Sequence, residues 1–318
     1  MSWRHPSPLF DSQKDLGLAA LGGVQRVSAT SPVGTHGTLS WRRTLTKIGI
    51  MQGRMVPPEP GRFQSFPRAR WADEFELAAS ASLSYIEWIY DLYGADVNPL
   101  IHDVAALNSA IAVSGVSLRS LCADYFMDLP FLRCTMTECR ERQAVLETLL
   151  RVAPSVGIQR VVIPFVDASK IADKEDADRL VGVIGEVLPT AREQGIEIHL
   201  ETSLPPGDFA ALLDRLPDPL VKANYDSGNS SSLGFIPAEE FAAYGPRIGS
   251  IHIKDRLLGG GTVPLGTGDA DLPAVFAAME RIGYEGDITL QVARPEPGNE
   301  VAWARSNREF VARYWPLE

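Results

Sequence analysis

Cysteine is scarce in this chain: Cys122, Cys134 and Cys139 are the only three in 318 residues. Their odd number and the lack of a C-x-x-C pair argue against a disulfide framework or a thiolate zinc site, and a reducing cytoplasm is the expected compartment. A surplus of positive charge is also missing. The net charge is -10 and the pI is near 5.1. Without clustered Lys and Arg to neutralise phosphates, nucleic acid is not an expected partner. No run of about 18 apolar residues occurs, so no membrane-spanning helix is expected. The dinucleotide fingerprint G-x-G-x-x-G is absent too, since Gly49-Ile50-Met51-Gln52-Gly53 does not fit it.

What remains is a globular composition, 45% hydrophobic and 22% charged, long enough for a large core. The first 46 residues stand apart: they hold few acidic residues and several Arg, Ser, Gly and Pro, and read as a flexible N-terminal extension. From residue 47 to 318, short β-type runs alternate with amphipathic helical stretches. The runs are Lys47 to Gln52, Tyr85 to Ile89, Val116 to Ala123, Gln159 to Phe165, Ile196 to Glu201, Leu220 to Tyr225, Ile248 to Ile253 and Asp287 to Val292. Helix signals follow each run. Gly115 and Gly195 read as stops, Pro237 as a first-turn residue, and Asp208 as the cap of a helix after Pro205-Pro206-Gly207. Eight such pairs at intervals of about 25 to 40 residues, with runs suited to burial on two sides, predict a (β/α)8 TIM barrel. An open doubly wound sheet would not need eight.

In such a barrel the chemistry sits where the strands end. Glu201, Asp226, His252 and Gln291 end runs five to eight, and adjacent strands lie about 4.8 Å apart, so the four can converge on one ion. Two carboxylates, an imidazole and an amide oxygen favour one divalent cation of the Mn, Mg or Co type, with Zn compatible. A strand end with a buried, hydrogen-bonded Asp or His is common in any protein; four consecutive ends in one register are what point to metal.

The chain here resembles the xylose isomerase-like barrel superfamily of sugar and sugar-phosphate isomerases and epimerases. The residues that carry the resemblance are Ile86-Glu87-Trp88, His199-Leu200-Glu201, Asn224-Tyr225-Asp226-Ser227-Gly228-Asn229 and Ile251-His252-Ile253-Lys254-Asp255, with Pro264-Leu265-Gly266-Thr267-Gly268-Asp269 as the loop before the seventh helix. The resemblance implies a metal bound by a Glu, an Asp, a His and a second Glu, and two glutamates that exchange protons with a carbon beside a carbonyl. Glu201, Asp226 and His252 match that pattern. Gln291 does not: an amide can coordinate through its oxygen but cannot remove a proton. Its missing charge also leaves the ion more electrophilic, by on the order of 3 kcal/mol at about 5 Å and an effective dielectric near 20. A DNA-repair endonuclease of the same superfamily needs many histidines for its three-metal site, and this chain has five, two of them His5 and His36.

Lys254 shares the strand face of His252 one step nearer the mouth, where it can hold a substrate anion or carry a proton. Arg256 and Arg294 are candidate anion anchors, Glu87 and Asn229 candidate substrate contacts, and Asp124 and Asp167 further strand-end acids. Gly259-Gly260-Gly261-Thr262 and Gly266-Thr267-Gly268 can cradle a phosphate with backbone N-H groups, or form a mobile lid. The expected function is a metal-dependent isomerase or epimerase of a small sugar, keto-sugar or sugar phosphate, with Glu201 and Lys254 as catalytic residues. A dehydratase-type lyase using one base and a strong Lewis acid, and a sugar-binding barrel without catalysis, are the alternatives. The expected partner is a small polyhydroxylated molecule, and a homo-oligomer is compatible with the sequence.

Overall fold

Eight parallel strands close into a barrel: Ile48–Met51, Tyr85–Ile89, Ser117–Cys122, Arg160–Phe165, Glu197–Thr202, Val221–Asp226, Ile248–Ile253 and Ile288–Leu290, referred to as strands one to eight. Each pairs with the next in the chain, and strand eight pairs with strand one, so the barrel has no free edge. This is the (β/α)8 TIM barrel that the alternating runs predict. The computed structural model describes residues 45–318. The extension expected over residues 1–46 lies outside the described residues except at its end. There Thr46 belongs to the fold: its N-H donates to Pro316 O, its carbonyl accepts from Glu318 N, and its hydroxyl accepts from Trp315 Nε1 at 2.8 Å.

The main helices are Asp73–Ser80, Val104–Ser114, Met136–Val152, Lys174–Gln194, Pro206–Asp214, Pro237–Tyr244, Leu272–Arg281 and Glu300–Ala312, one after each strand. Their ends follow local chemistry. Thr135 and Glu138 form a reciprocal capping box at the start of Met136–Val152. Asp173 caps Lys174–Gln194 through the Asp176 N-H, and Gly195, left-handed at φ 66°, ends it. The cap expected at Asp208 is not one: the helix starts at Pro206, whose fixed φ and missing N-H suit a first turn, and Asp208 lies inside that turn. No described helix is long and apolar enough to cross a membrane.

Strands one, two and four are buried along their whole length, as two-sided packing requires. Their outward side chains pack on the helices. Polar side chains also pair between strands: Tyr85 Oη of strand two bonds Thr289 Oγ1 of strand eight at 2.7 Å, and His199 Nδ1 of strand five bonds Ser250 Oγ of strand seven at 2.7 Å. At the lower end of the lumen Asp287 Oδ2 accepts from Arg119 Nε and Arg160 Nη1, both at 2.8 Å. Arg160 is 5% exposed, so Asp287 is what makes its charge tolerable there. Asp287→Asn is expected to destabilise the protein by about 3–5 kcal/mol, the cost of leaving one partner of a buried pair uncompensated. Urea unfolding with an unchanged m-value is the measurement, and a loss under about 1 kcal/mol, the size of a surface pair, would refute it.

Candidate active site

The period of two that places side chains on alternate faces aims Glu201, Asp226 and His252 into the lumen from strands five, six and seven. Asp226 and His252 are direct register partners across strands six and seven, after a register shift between Ala223 and Asn224. One donor atom from each of Glu201, Asp226 and His252 lies within 4.8 Å of the other two, and all three residues are buried. His252 Nδ1 stands 3.4 Å from Glu201 Oε2 and 3.8 Å from Asp226 Oδ2. Asp226 Oδ1 caps the short helix Ser227–Ser232 by accepting from Asn229 N, while Asp226 Oδ2 has no hydrogen-bond partner among the described residues. A buried carboxylate oxygen left in that state, beside a second carboxylate and an imidazole, fits a hard divalent cation.

Behind the trio, Glu87 Oε1 lies 2.8 Å from His252 Nε2, both side chains being 0% exposed. The contact is an ion pair whose alignment falls short of a hydrogen bond. Burial alone would lower the pKa of His252, but Glu87 and Glu201 outweigh it and push it up to about 10. Burial likewise opposes ionisation of Glu201, and His252 and Lys254 overcome it, holding the carboxyl below its ordinary range. Asp226 is pushed the other way by burial and by the neighbouring Glu201 carboxylate.

Above the trio opens a cavity of about 510 Å³, lined by Glu201, Lys254, Asn229, Arg256, Gln291 and Asp124 among others. Lys254 Nζ donates to Gln291 Oε1 at 3.0 Å and Asn229 Oδ1 at 3.2 Å, and stands 3.5 Å from Asp226 Oδ2. Its stem passes over Gly228, where a Cβ would lie 2.6 Å from Lys254 Cγ, so only glycine fits there. Asn229 is a hub: Nδ2 donates to Glu201 Oε1 at 2.6 Å, and Oδ1 accepts from Arg256 Nη1 at 2.9 Å as well as from Lys254. Asn224 Nδ2 holds the other oxygen, Glu201 Oε2, at 2.8 Å.

Three expected roles take a different form. Glu87, expected to touch substrate, is buried behind His252 and does not line the cavity; it orients the imidazole instead. Arg294, expected as an anion anchor, donates to the carbonyls of Phe63, Gly53 and Val56 and fastens the loop after strand one. Gln291, expected as fourth ligand, offers its oxygen to Lys254. Of the two glycine-rich stretches, the one at Gly266-Thr267-Gly268 has an internal occupant, while Gly261 and Thr262 of the other line the cavity. Gly266 N, Gly268 N and Ala270 N donate to the Asp255 carboxylate, and Gly260 O accepts from Arg256.

Gln64 is a site residue that sequence reasoning did not single out. It lies in an irregular loop without periodicity or a motif, yet it bonds Asp124, Arg54 and Gln291 from the cavity wall. Arg54, one of the polar residues after strand one, is buried and donates to Val292 O and Gln64 Oε1.

A family model described as xylose isomerase-like TIM barrel matches residues 75–314. The chain belongs to the xylose isomerase-like TIM barrel family. SgbU of Escherichia coli K12, provisionally named an L-ribulose-5-phosphate 3-epimerase, is 21% identical over 255 residues, which cover 74% of this chain and 89% of SgbU. Among solved structures, the IolI protein with a bound zinc atom matches with a TM-score of 0.70 at 18% identity, over 86% of this chain and 100% of that one. The D-allulose 3-epimerase of Methylomonas sp. in complex with D-allulose matches with a TM-score of 0.66 at 19% identity, over 85% and 98%. Within this xylose isomerase-like barrel, Glu201, Asp226 and His252 come together as the family pattern implies, and Gln291 is the departure.

The position of Glu87 has a measurable consequence. Glu87→Gln is expected to weaken Mn²⁺ binding by about 10 to 100-fold, the usual cost of removing the group that orients a ligand histidine. Titration calorimetry reads it, and unchanged affinity would reduce Glu87 to packing.

Proposed function

We propose that this protein is a metal-dependent epimerase or isomerase of a small keto-sugar, acting by removal of a proton from the carbon beside the carbonyl. One observation carries this reading: Glu201 belongs both to the buried trio that can hold a cation and to the wall of the cavity above it. A base placed there reaches a substrate whose carbonyl lies over the metal position. A bound divalent ion, of the Mn, Mg, Co or Zn type, supplies Lewis acidity that acidifies the C-H bond. The names of SgbU and of the D-allulose enzyme support the substrate class.

The chain's own residues divide the work. Glu201, held ionised by His252 and Lys254, takes the proton. Asn224 and Asn229 fix both of its oxygens, so its reach is set before substrate arrives. Lys254 projects an ammonium into the cavity, where it can hold the oxygen on which charge develops. With the amides of Gly266, Gly268 and Ala270 engaged by Asp255, phosphate recognition would fall to Lys254 and Arg256, the cations that line the cavity beside Gly261 and Thr262.

A second reading, a dehydratase-type lyase, is favoured by one feature: Gln291 has no basicity, and elimination of water needs a single carbon base. Incubation with D-allulose, L-ribulose and L-ribulose 5-phosphate in deuterated buffer separates the two. Deuterium entering a sugar without loss of water supports the isomerase or epimerase reading; release of water supports the lyase.

A further inference from the structure

Inversion of a carbon by proton transfer needs a group on each face: one removes the proton and the other supplies a new one. In this chain strand eight offers Gln291, an amide already bonded to Lys254, so the second group has to stand elsewhere in the cavity. The inference rests on the epimerase reading above. The geometry points to Asp124 as that second proton-transferring group, acting on the face of the substrate opposite Glu201.

Asp124 follows strand three, which in the closed order lies two places from strand five and four from strand seven, diametrically across the ring. Asp124 therefore enters the cavity half the ring away from His252 and a quarter of the ring from Glu201, so a molecule held over His252 and Asp226 meets the two carboxyls from different directions. Both Asp124 and Glu201 line the one cavity.

The surroundings of the two carboxyls are opposite in kind. Glu201 has His252 and Lys254 close by. Asp124 receives hydrogen bonds from neutral donors, Gln64 Nε2 to Oδ2 at 2.7 Å and Cys122 Sγ to Oδ1 at 3.1 Å, and no described Lys or Arg is bonded to it. Gln64 cannot simply turn away, because its Oε1 accepts from Arg54 Nη2 at 2.8 Å and its amide nitrogen is thereby aimed at Asp124. Burial pushes the Asp124 acid up to about 6. Two carboxyls with such different neighbours, neutral donors at Asp124 and cationic side chains beside Glu201, are suited to acid and base roles. The Cys122 thiol, itself pushed up by burial, remains an S-H donor to the carboxylate that forms when Asp124 releases its proton.

The step balances without another reactant. Glu201 breaks the C-H bond beside the carbonyl, and the electron pair moves into the carbonyl to give an enediolate. The O-H of Asp124 then breaks, a C-H bond forms on the other face, and the carbonyl returns. Glu201 is left protonated and Asp124 ionised, and proton exchange with water in the cavity resets both. In the reverse direction their roles exchange.

The test uses the full chain supplied with Mn²⁺, with D-allulose and L-ribulose in deuterated buffer. The wild type should yield an epimer carrying one solvent deuterium at the inverted carbon. Asp124→Asn should lose epimer formation by about 10³-fold, while deuterium still enters the recovered substrate within about tenfold of the wild-type rate, because Glu201 continues to remove and return a proton. Asp124→Glu should restore part of the inversion. Retention of inversion in Asp124→Asn, or equal loss of inversion and exchange with an unchanged melting temperature, would overturn the assignment. A wild type that neither exchanges nor inverts either sugar would instead overturn the epimerase reading, and this assignment with it.

Discussion

Glutamine at position 201 is expected to lower turnover by about 10⁴-fold at saturating metal, the upper range for loss of a carbon base. The reason is more than lost basicity. Asn224 Nδ2 and Asn229 Nδ2 each donate to one oxygen of Glu201, and an amide offers only one oxygen. One asparagine would face an N-H₂ group, so the side chain or its neighbour must turn. Metal affinity should fall as well, since removing one anionic ligand at about 5 Å and an effective dielectric near 20 costs on the order of 3 kcal/mol, roughly 10²-fold. Measuring turnover over a range of Mn²⁺ concentrations separates the effects. Recovery of full activity in Glu201→Gln at high metal would show a ligand only, and the base would have to be sought elsewhere.

The strands were legible because each is a short apolar run whose last inward position is polar, and the period of two carries that polar residue onto the lumen face. Glu201, Asp226 and His252 could be grouped for this reason alone, and the structure brings them within 4.8 Å. Direction toward the lumen was legible; depth was less so. Glu87 shares the inward face of strand two, yet it ends beneath the cavity against His252 Nε2 rather than in its wall. Arg294 and Gln64 show a different limit. Arg294 finds its partners in the loop after strand one, while Gln64, itself in that loop, bonds Asp124 and Gln291 beyond it; residues 231 positions apart, such as Arg294 and Phe63, meet only because the barrel closes. No periodicity in either segment encodes that meeting. The Gly266-Thr267-Gly268 loop illustrates a third: glycines free the backbone N-H groups to gather round an anion, but the pattern does not say whose anion it is, and here Asp255 supplies it.

Gln291 and Lys254 are best understood together. A glutamate at the end of strand eight would neutralise one charge of a bound ion; the glutamine leaves that charge standing and turns its oxygen to an ammonium. Beside Glu87, which is paired with His252, the site therefore holds two carboxylates, Glu201 and Asp226, against Lys254 and any divalent cation bound there. Positive potential rises in the cavity, which favours charge developing on a substrate oxygen and lets Glu201 remain ionised beside it.

Removing the ammonium should therefore move catalysis and metal binding in opposite directions. Lys254→Met keeps a stem that passes over Gly228 and deletes only the charged, donating end. Turnover is expected to fall by about 10²–10³-fold, the range for loss of one donor to a developing oxyanion. Mn²⁺ should bind more tightly, by tenfold or more. The ammonium stands 3.5 Å from Asp226 Oδ2 and repels a cation sharing that carboxylate. At about 5 Å and an effective dielectric near 20, even a unit charge is worth on the order of 3 kcal/mol before relaxation. Calorimetry for the metal and initial rates at saturating Mn²⁺ read the two effects separately. A structural lysine predicts weaker metal binding and slower turnover together, because the Asn229 hub it steadies also holds Glu201. Tighter metal with slower chemistry is the signature of a charge placed for the transition state.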